Sequence, residues 1–304
     1  LSIYINIISG FLGAGKTTFL KKIIPKMKGK VVLIENEFGD IGVDGDLIPK
    51  EFPIREIYAG CICCSVVQDF RKAIEELALE YKPDHILIEP SGVGSLSDII
   101  KICESISKKS DLDIRIKHLI TIVDVSAFED YVENFGGFYL DQIRNAHIIF
   151  LSHFDKIEHK EMVRIISQIR LNNQTAFILK EAWHSHDGEE IIEMLNTVNS
   201  YEIASKEKPV LMPANRMFST FSIANPRIFS EKEIDTMLAS LKDKEYGSIL
   251  RAKGILELNT KQFIHFNFTP HHDHWEYLEE CKATKVVIIG SDLNKQKISE
   301  GFQK

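Results

Sequence analysis

The segment Gly10-Phe11-Leu12-Gly13-Ala14-Gly15-Lys16-Thr17-Thr18 sets glycines where a backbone must wrap closely around an anion, then supplies a lysine and two hydroxyls. This is the G-x-x-x-x-G-K-[ST] pattern of a phosphate-binding loop. Free N–H groups at the start of the following helix donate to phosphate oxygens, and the positive end of the helix dipole favours the anion. Lys16 is expected to reach the β- and γ-phosphates of a nucleoside triphosphate, and the Thr17 hydroxyl to ligate Mg²⁺. Gly10, Gly13, Ala14, Gly15, Lys16, Thr17 and Thr18 are therefore the expected nucleotide-binding residues.

Two later segments make sense beside such a loop. The apolar run His85 to Ile88 ends in Glu89-Pro90-Ser91-Gly92. Doubly wound sheets bind ligands at the carboxyl ends of their strands, which is where this acid falls. Glu89 is expected to hold Mg²⁺ or orient the attacking water, and the Gly92 N–H to sense the terminal phosphate. Lys16, Glu89 and Gly92 thus form the expected catalytic set. Further on, Ile148 to Leu151 leads into Ser152-His153-Phe154-Asp155-Lys156. That is the place of the Asn/Thr-Lys-x-Asp element with which GTPases read guanine, with Asp155 as the base-reading carboxylate and His153 where lysine is usual. A cap for a following helix is the alternative role of Asp155.

Cys61, Cys63 and Cys64 crowd into Gly60-Cys61-Ile62-Cys63-Cys64-Ser65, at the opening of an expected helix. A helix start lowers a thiol pKa, and thiolates suit Zn²⁺ and similar metals. Three close thiolates leave a coordination position for a donor from elsewhere or for transfer. Nearby donors lie in Glu35-Asn36-Glu37-Phe38-Gly39-Asp40, which also has the position of a segment that orders around a γ-phosphate. A buried small-residue turn and a redox pair are the other readings of the cysteines. Cys103 and Cys281 stand alone and read as core residues.

These residues need a scaffold that brings strand ends together. Up to about residue 200, short β-branched runs alternate with amphipathic segments, the pattern of a mostly parallel sheet flanked by helices. Expected strands are Ile3 to Ile8, Val31 to Glu35, His85 to Glu89, His118 to Val123, Ile148 to Leu151 and Ala176 to Leu179. Expected helices are Lys16 to Met27, Ser65 to Glu80, Ser97 to Ser107, Asp141 to Ala146, Glu161 to Asn172 and Glu189 to Leu195. The fold class is α/β, a P-loop NTPase domain over residues 1–205 with a doubly wound sheet. A linker is expected around Tyr201 to Pro213, then a small α+β domain over 213–304 with strands at Met217 to Ile223, Ile255 to Leu258, Phe263 to Phe268 and Lys285 to Ile289 and a helix at Glu231 to Leu241.

Composition restricts the partners. With 304 residues, a net charge of -7 and a pI near 5.9, the balance disfavours a nonspecific nucleic-acid binder, which needs a basic surface, and leaves room only for a local basic patch. No apolar run approaches the ~20 residues that span a bilayer. The first residues read as a strand rather than a signal peptide, so the expected location is the cytoplasm. A chain of this size with five cysteines is not a disulfide scaffold.

GFLGAGKTT, ENEFGD, GCICCS and the EPSG strand end together resemble the CobW family of P-loop GTPases and metallochaperones. Ser248 to Gly254 and Val287 to Gly290 extend the resemblance into the second domain. It implies a GTPase that uses GTP and Mg²⁺, and because no arginine finger is evident in the sequence, intrinsic hydrolysis is expected to be slow. It further implies binding of Zn²⁺, or Co²⁺ or Ni²⁺, through Cys61, Cys63 and Cys64 with Glu35 and Asp40 as co-ligands, and delivery to a client metalloprotein. Pro90-Ser91 stands where relatives commonly carry Thr-Thr. A metal sensor that selects partners without delivery, and a small-molecule kinase, are the competing functions. Three histidines in Thr269-Pro270-His271-His272-Asp273-His274-Trp275 read either as a secondary metal site or as a solvated loop, and His184 and His186 as surface residues.

Overall fold

The computed structural model describes residues 2–37, 54–58, 64–109, 112–199, 218–278 and 283–303. They divide into two compact units, one within 1–213 and one within 214–304. No described helix is long and apolar enough to cross a membrane.

The first unit alternates strand and helix: β1 (Ile3–Gly10), α1 (Lys16–Ile23), β2 (Val31–Glu37), β3 (Ile54–Tyr58), α2 (Cys64–Tyr81), β4 (His85–Glu89), α3 (Leu96–Lys109), β5 (Ile114–Asp124), α4 (Phe128–Asn145), β6 (Ile148–Ser152), α5 (His159–Asn172), β7 (Phe177–Leu179) and α6 (Gly188–Thr197). Its sheet has seven strands in the order β3-β2-β4-β1-β5-β6-β7. Every pairing is parallel, so the sheet is wholly rather than mostly parallel. Side chains alternate between two buried faces. Ile3, Ile5, Ile7, Val32, Ile34, Ile86 and Ile88 pack with α2 and α3. Ile8, Leu33, Leu87, Ile120, Ile122, Ile148 and Phe150 pack on the other side with α1 and α6. Burial on both faces is why these strands read as unbroken apolar runs.

Differences from the expected elements have local causes. The helix expected to reach Met27 stops at Ile23, because Pro25 opens a 3-10 turn at Ile24–Lys26. The helix expected only over Asp141 to Ala146 starts at Phe128. Gly136-Gly137 interrupts its pattern, and a non-helical Phe135 (φ -133°, ψ 20°) kinks it. β3 was not expected; its five residues mix charged and apolar side chains. Cys103 is a core residue, its thiol pushed up to about 12 by burial. Cys281 and the linker lie outside the described residues.

β5 contains an irregularity with consequences. Ile5 pairs with Ile116 and Asn6 with His118, which leaves Lys117 as an extra residue. A one-residue slip exchanges faces, so His118 lies on the face of Asn6 and α1 instead of following Ile114 and Ile116. Burial, then the charges of Lys117, His147 and His85, lower the His118 pKa from 6.5 to about 4. Above pH 6.5 both folded and unfolded chains hold this group neutral. Between pH 6.5 and about 4 the unfolded chain takes up a proton that the folded chain refuses, so stability is lost as the pH is lowered through that window. Denaturant midpoints should drop across it, and His118→Phe should flatten the slope.

The second unit comprises β8 (Ser219–Ala224), α7 (Glu231–Ser240), β9 (Ser248–Glu257), β10 (Phe263–Phe268), β11 (Asp273–Leu278), β12 (Lys285–Ser291) and α8 (Lys295–Gln303). The sheet order is β11-β10-β9-β12-β8, antiparallel throughout. Ile234, Leu238, Ile298 and Phe302 from the two helices pack on Ala252, Leu256, Phe266 and Ile288. This is the expected α+β architecture with one more strand and one more helix. No apolar run marks β11 in the sequence, because it is an edge strand with exposed polar residues at most positions.

Candidate nucleotide and metal site

β1 delivers the chain into the phosphate-binding loop, and α1 starts at Lys16 as the motif requires. Gly10, Gly13 and Gly15 take φ values of 151°, 79° and 101°, the region that favours glycine. A Cβ on Gly10 would come within 2.5 Å of the Ile122 carbonyl oxygen, so the loop lies directly against β5. The first turn of α1 contains no acid to compete for its N–H groups. This concave run of amides, with Lys16 at its end, is the donor set a polyphosphate needs.

Lys16 is buried, 4% exposed, with Nζ 3.4 Å from the Phe11 carbonyl oxygen and 4.0 Å from a Glu89 carboxylate oxygen. Thr17 Oγ1 donates to the Glu89 carboxylate at 3.2 and 3.4 Å. Thr17 and Glu89 therefore form a cluster of hard oxygen donors, which suits Mg²⁺. Thr18 is exposed. Glu35, 3% exposed, is the register partner of Glu89 across β2 and β4. Parallel partners share a face, so both acids point toward the side of the sheet that α1 covers. The strand feeding the Glu35–Asp40 segment thus runs beside Thr17 and Glu89. Glu37 closes β2. The side chains of Glu37, Asp40, Cys61, Cys63 and Cys64 lie outside the described residues; Cys64 is the first residue of α2.

Gly92 is pressed onto the phosphate loop. A Cβ there would meet Leu12 N at 2.8 Å and Leu12 Cδ2 at 2.7 Å. Gly92→Ala must move one loop against the other, and a misplacement of that order costs roughly 10²-fold in rate. We expect that loss in single-turnover hydrolysis with diphosphate affinity retained; an unaltered rate would remove Gly92 from the phosphate-sensing role.

Two residues that the motifs did not reveal hold this loop. Gln142, buried on α4, donates through Nε2 to the carbonyls of Gly92 and Gly94 at 3.0 and 3.1 Å. Asp141 accepts from Ser95 Oγ and Ser97 N, both at 3.0 Å. The same helix clasps Phe11, whose ring lies 4.6 Å from Tyr131 and 5.4 Å from Phe135. Nothing in the spacing of Asp141-Gln142 signals these roles, which depend on α4 crossing both loops.

At the end of β6, Ser152 Oγ donates to the Ala14 carbonyl at 2.9 Å and ties that strand to the phosphate loop. His153 adopts φ 60°, ψ 38°, with Nε2 3.7 Å from Asp124 Oδ2. Asp124, at the end of β5 and 1% exposed, was also unmarked by any motif. Asp155 is exposed on the 3-10 turn Phe154–Lys156. It is not the cap of the next helix, since that position belongs to Glu158.

The histidine-rich segment is not a single loop: Thr269–His272 form a turn, and His274 and Trp275 belong to β11. His271 and His274 are exposed, and His272 is half-buried. His271 and His272 thus lie on the turn and His274 on the strand, on two different elements. His186 pairs with Glu181 and Glu190 at 3.4 and 3.3 Å, and His184 is exposed.

Comparison with known proteins identifies both domains. The family model described as CobW/HypB/UreG, nucleotide-binding domain, matches residues 4–179, and that of the cobalamin synthesis protein cobW C-terminal domain matches 218–304. A zinc chaperone CobW from Sinorhizobium sp is 26% identical over 333 residues, covering 94% of this chain and 92% of the relative. The zinc chaperone CobW of Pseudomonas aeruginosa is 24% identical, covering 97% and 89%. Among solved structures, a zinc(II)-bound triple mutant of YjiA GTPase superposes with a TM-score of 0.50 at 19% identity, covering 100% of both chains, a likeness of fold.

Proposed function

The chain belongs to the CobW/HypB/UreG family, and from that premise we propose that it is a GTP-hydrolysing metallochaperone whose nucleotide state controls a cysteine metal site. The observation that carries the reading is the pairing of Glu35 with Glu89 at the ends of β2 and β4, beside Thr17 and Lys16. A γ-phosphate held by Lys16 and the Gly92 N–H acts on that strand end, and therefore on the segment through Asp40. The cysteines from Cys61 to Cys64 lead into α2, and the proposal couples them to the same segment.

Hydrolysis uses water as nucleophile: its oxygen bonds to the γ-phosphorus, the bond to the β–γ bridging oxygen breaks, and GDP and inorganic phosphate leave with one proton released. Thr17 and Glu89 are the residues to hold Mg²⁺, which when bound supplies positive charge to the phosphate oxygens. Lys16 steadies charge on the bridging and terminal oxygens, and Gly92 orients the terminal group. Asp155 reads the guanine edge. With no arginine finger assigned, unassisted turnover is slow. Zn²⁺, or Co²⁺ or Ni²⁺, is the cargo, held by Cys61, Cys63 and Cys64 with Glu35 and Asp40, and passed to a client metalloprotein. A reducing cytoplasm keeps those thiols available.

The test is a metal titration of the purified chain with Zn²⁺, Co²⁺ and Ni²⁺, in the presence of GDP, a non-hydrolysable GTP analogue, or the ATP counterpart. Affinity for the physiological ion should differ about tenfold or more between GDP and GTP states, the scale of an allosteric coupling, with little response to ATP. Equal affinities in all nucleotide states would overturn the coupling. Transfer to an apo client on hydrolysis distinguishes delivery from sensing.

A further inference from the structure

We infer that the first unit holds a second ligand site, for a small organic oxyanion, in the cavity between the sheet and α6 where Asn6, His85, Lys117 and His118 converge.

The cavity has a volume of about 460 Å³, within the range of small-molecule sites. It opens toward the amino-terminal edge of the sheet, where β4 begins at His85, whereas the phosphate loop lies at the carboxyl edge. Ile23, Met27, Leu87, Ile120 and Ile192 give it an apolar wall. Against that wall, Asn6 is 5% exposed and His118 2%. Asn6 Nδ2, both ring nitrogens of His118 and Nδ1 of His85 are buried with no hydrogen-bond partner among the described residues. Buried polar atoms are costly when unsatisfied, and a cluster of them facing one cavity points to a ligand that satisfies them.

The bulge on β5 is what assembles the cluster, since without Lys117 as an extra residue His118 would face away from Asn6. Lys117 lines the same cavity and donates to Asn196 Oδ1 at 3.0 Å, which leaves two of its ammonium protons for other acceptors. Among the described residues it has no ion-pair partner. Donors therefore outnumber acceptors: the Asn6 amide, one N–H on each neutral imidazole and the Lys117 ammonium stand against at most one acceptor nitrogen on each imidazole. Of the acids on the lining, Glu189 is occupied with Lys26 at 3.0 Å, and Glu193 is matched in number by the second lysine of that stretch on the lining, Lys28. A cation is disfavoured, because among the described residues no third metal-ligating side chain clusters with His85 and His118. An oxyanion on an apolar stem matches both the donors and the wall.

The full chain with isotope-labelled histidine is titrated with butanoate, with inorganic phosphate, and with n-butanol as the neutral control, following the His118 and His85 ring resonances. Saturable shifts with an anion and none with butanol are expected. Preference for butanoate assigns a carboxylate ligand, and preference for phosphate a phosphoryl ligand; either supports the site. Lys117→Met should weaken binding about tenfold by removing a charge-assisted hydrogen bond, with affinity for a fluorescent GTP analogue unchanged. Ile192→Trp, placed on α6 at the cavity wall, should abolish the shifts and serves if Lys117→Met does not fold. Non-saturating shifts, equal response to butanol, or undiminished binding in a folded variant would each overturn the proposal and leave a solvent-filled cavity.

Discussion

Lys16→Met is expected to slow GTP hydrolysis by about 10²–10³-fold, the scale of removing one donor to developing charge in a dry site. The side chain is almost wholly buried at the first residue of α1, aimed between the Phe11 carbonyl and the Glu89 carboxylate. Methionine keeps the stem that fills this space, so the apolar packing survives and only the charge is lost. Replacing a buried ion pair member with an apolar residue otherwise risks leaving its partner uncompensated. Glu89 retains the Thr17 hydroxyl at 3.2 Å. The variant should therefore remain folded by circular dichroism while single-turnover hydrolysis collapses. A folded variant that turns over at the original rate would remove Lys16 from the mechanism.

The triple replacement of Cys61, Cys63 and Cys64 by serine should lower Zn²⁺ affinity by at least ~10³-fold. Structural zinc sites of four ligands supply an apparent ~10–16 kcal/mol, so each thiolate carries a share of order 3 kcal/mol, about two orders of magnitude in affinity. Serine stays protonated at neutral pH and offers a poor ligand, while its size matches cysteine. Metal-dependent stimulation of hydrolysis should vanish together with metal binding, and metal-free hydrolysis should persist, because Lys16, Thr17, Glu89 and Gly92 are untouched. Retention of both affinity and stimulation in the triple variant would place the metal elsewhere. Retention of stimulation with loss of affinity would break the proposed coupling.

Much of the phosphate site was legible in the chain because it is local. Loop conformation, helix start and lysine position follow from consecutive residues, and the glycines at Gly10, Gly13 and Gly15 take the positive φ values their motif demands. Strand cores were legible for a related reason: two-sided burial leaves uninterrupted runs such as His85–Glu89, whose limits match the expectation. Edge strands lack that signal. β11 shows one partner and an exposed polar series, and neither period nor composition marks it.

What the sequence by itself determined is the chemistry available: an amide cradle with a lysine, an acid after an apolar strand, and thiols before a helix. Each of these depends on neighbours a few residues apart. Only the tertiary structure decided which groups meet. Glu35 lies beside Glu89 because β2 and β4 are adjacent in the sheet although far apart in the chain. Gln142 reaches Gly92 because α4 crosses the loop, and His118 turns toward Asn6 because one extra residue in β5 exchanges its face. Such contacts are set by strand order, helix crossing and register. Those are collective consequences of packing two apolar faces, and no local pattern of residues encodes them.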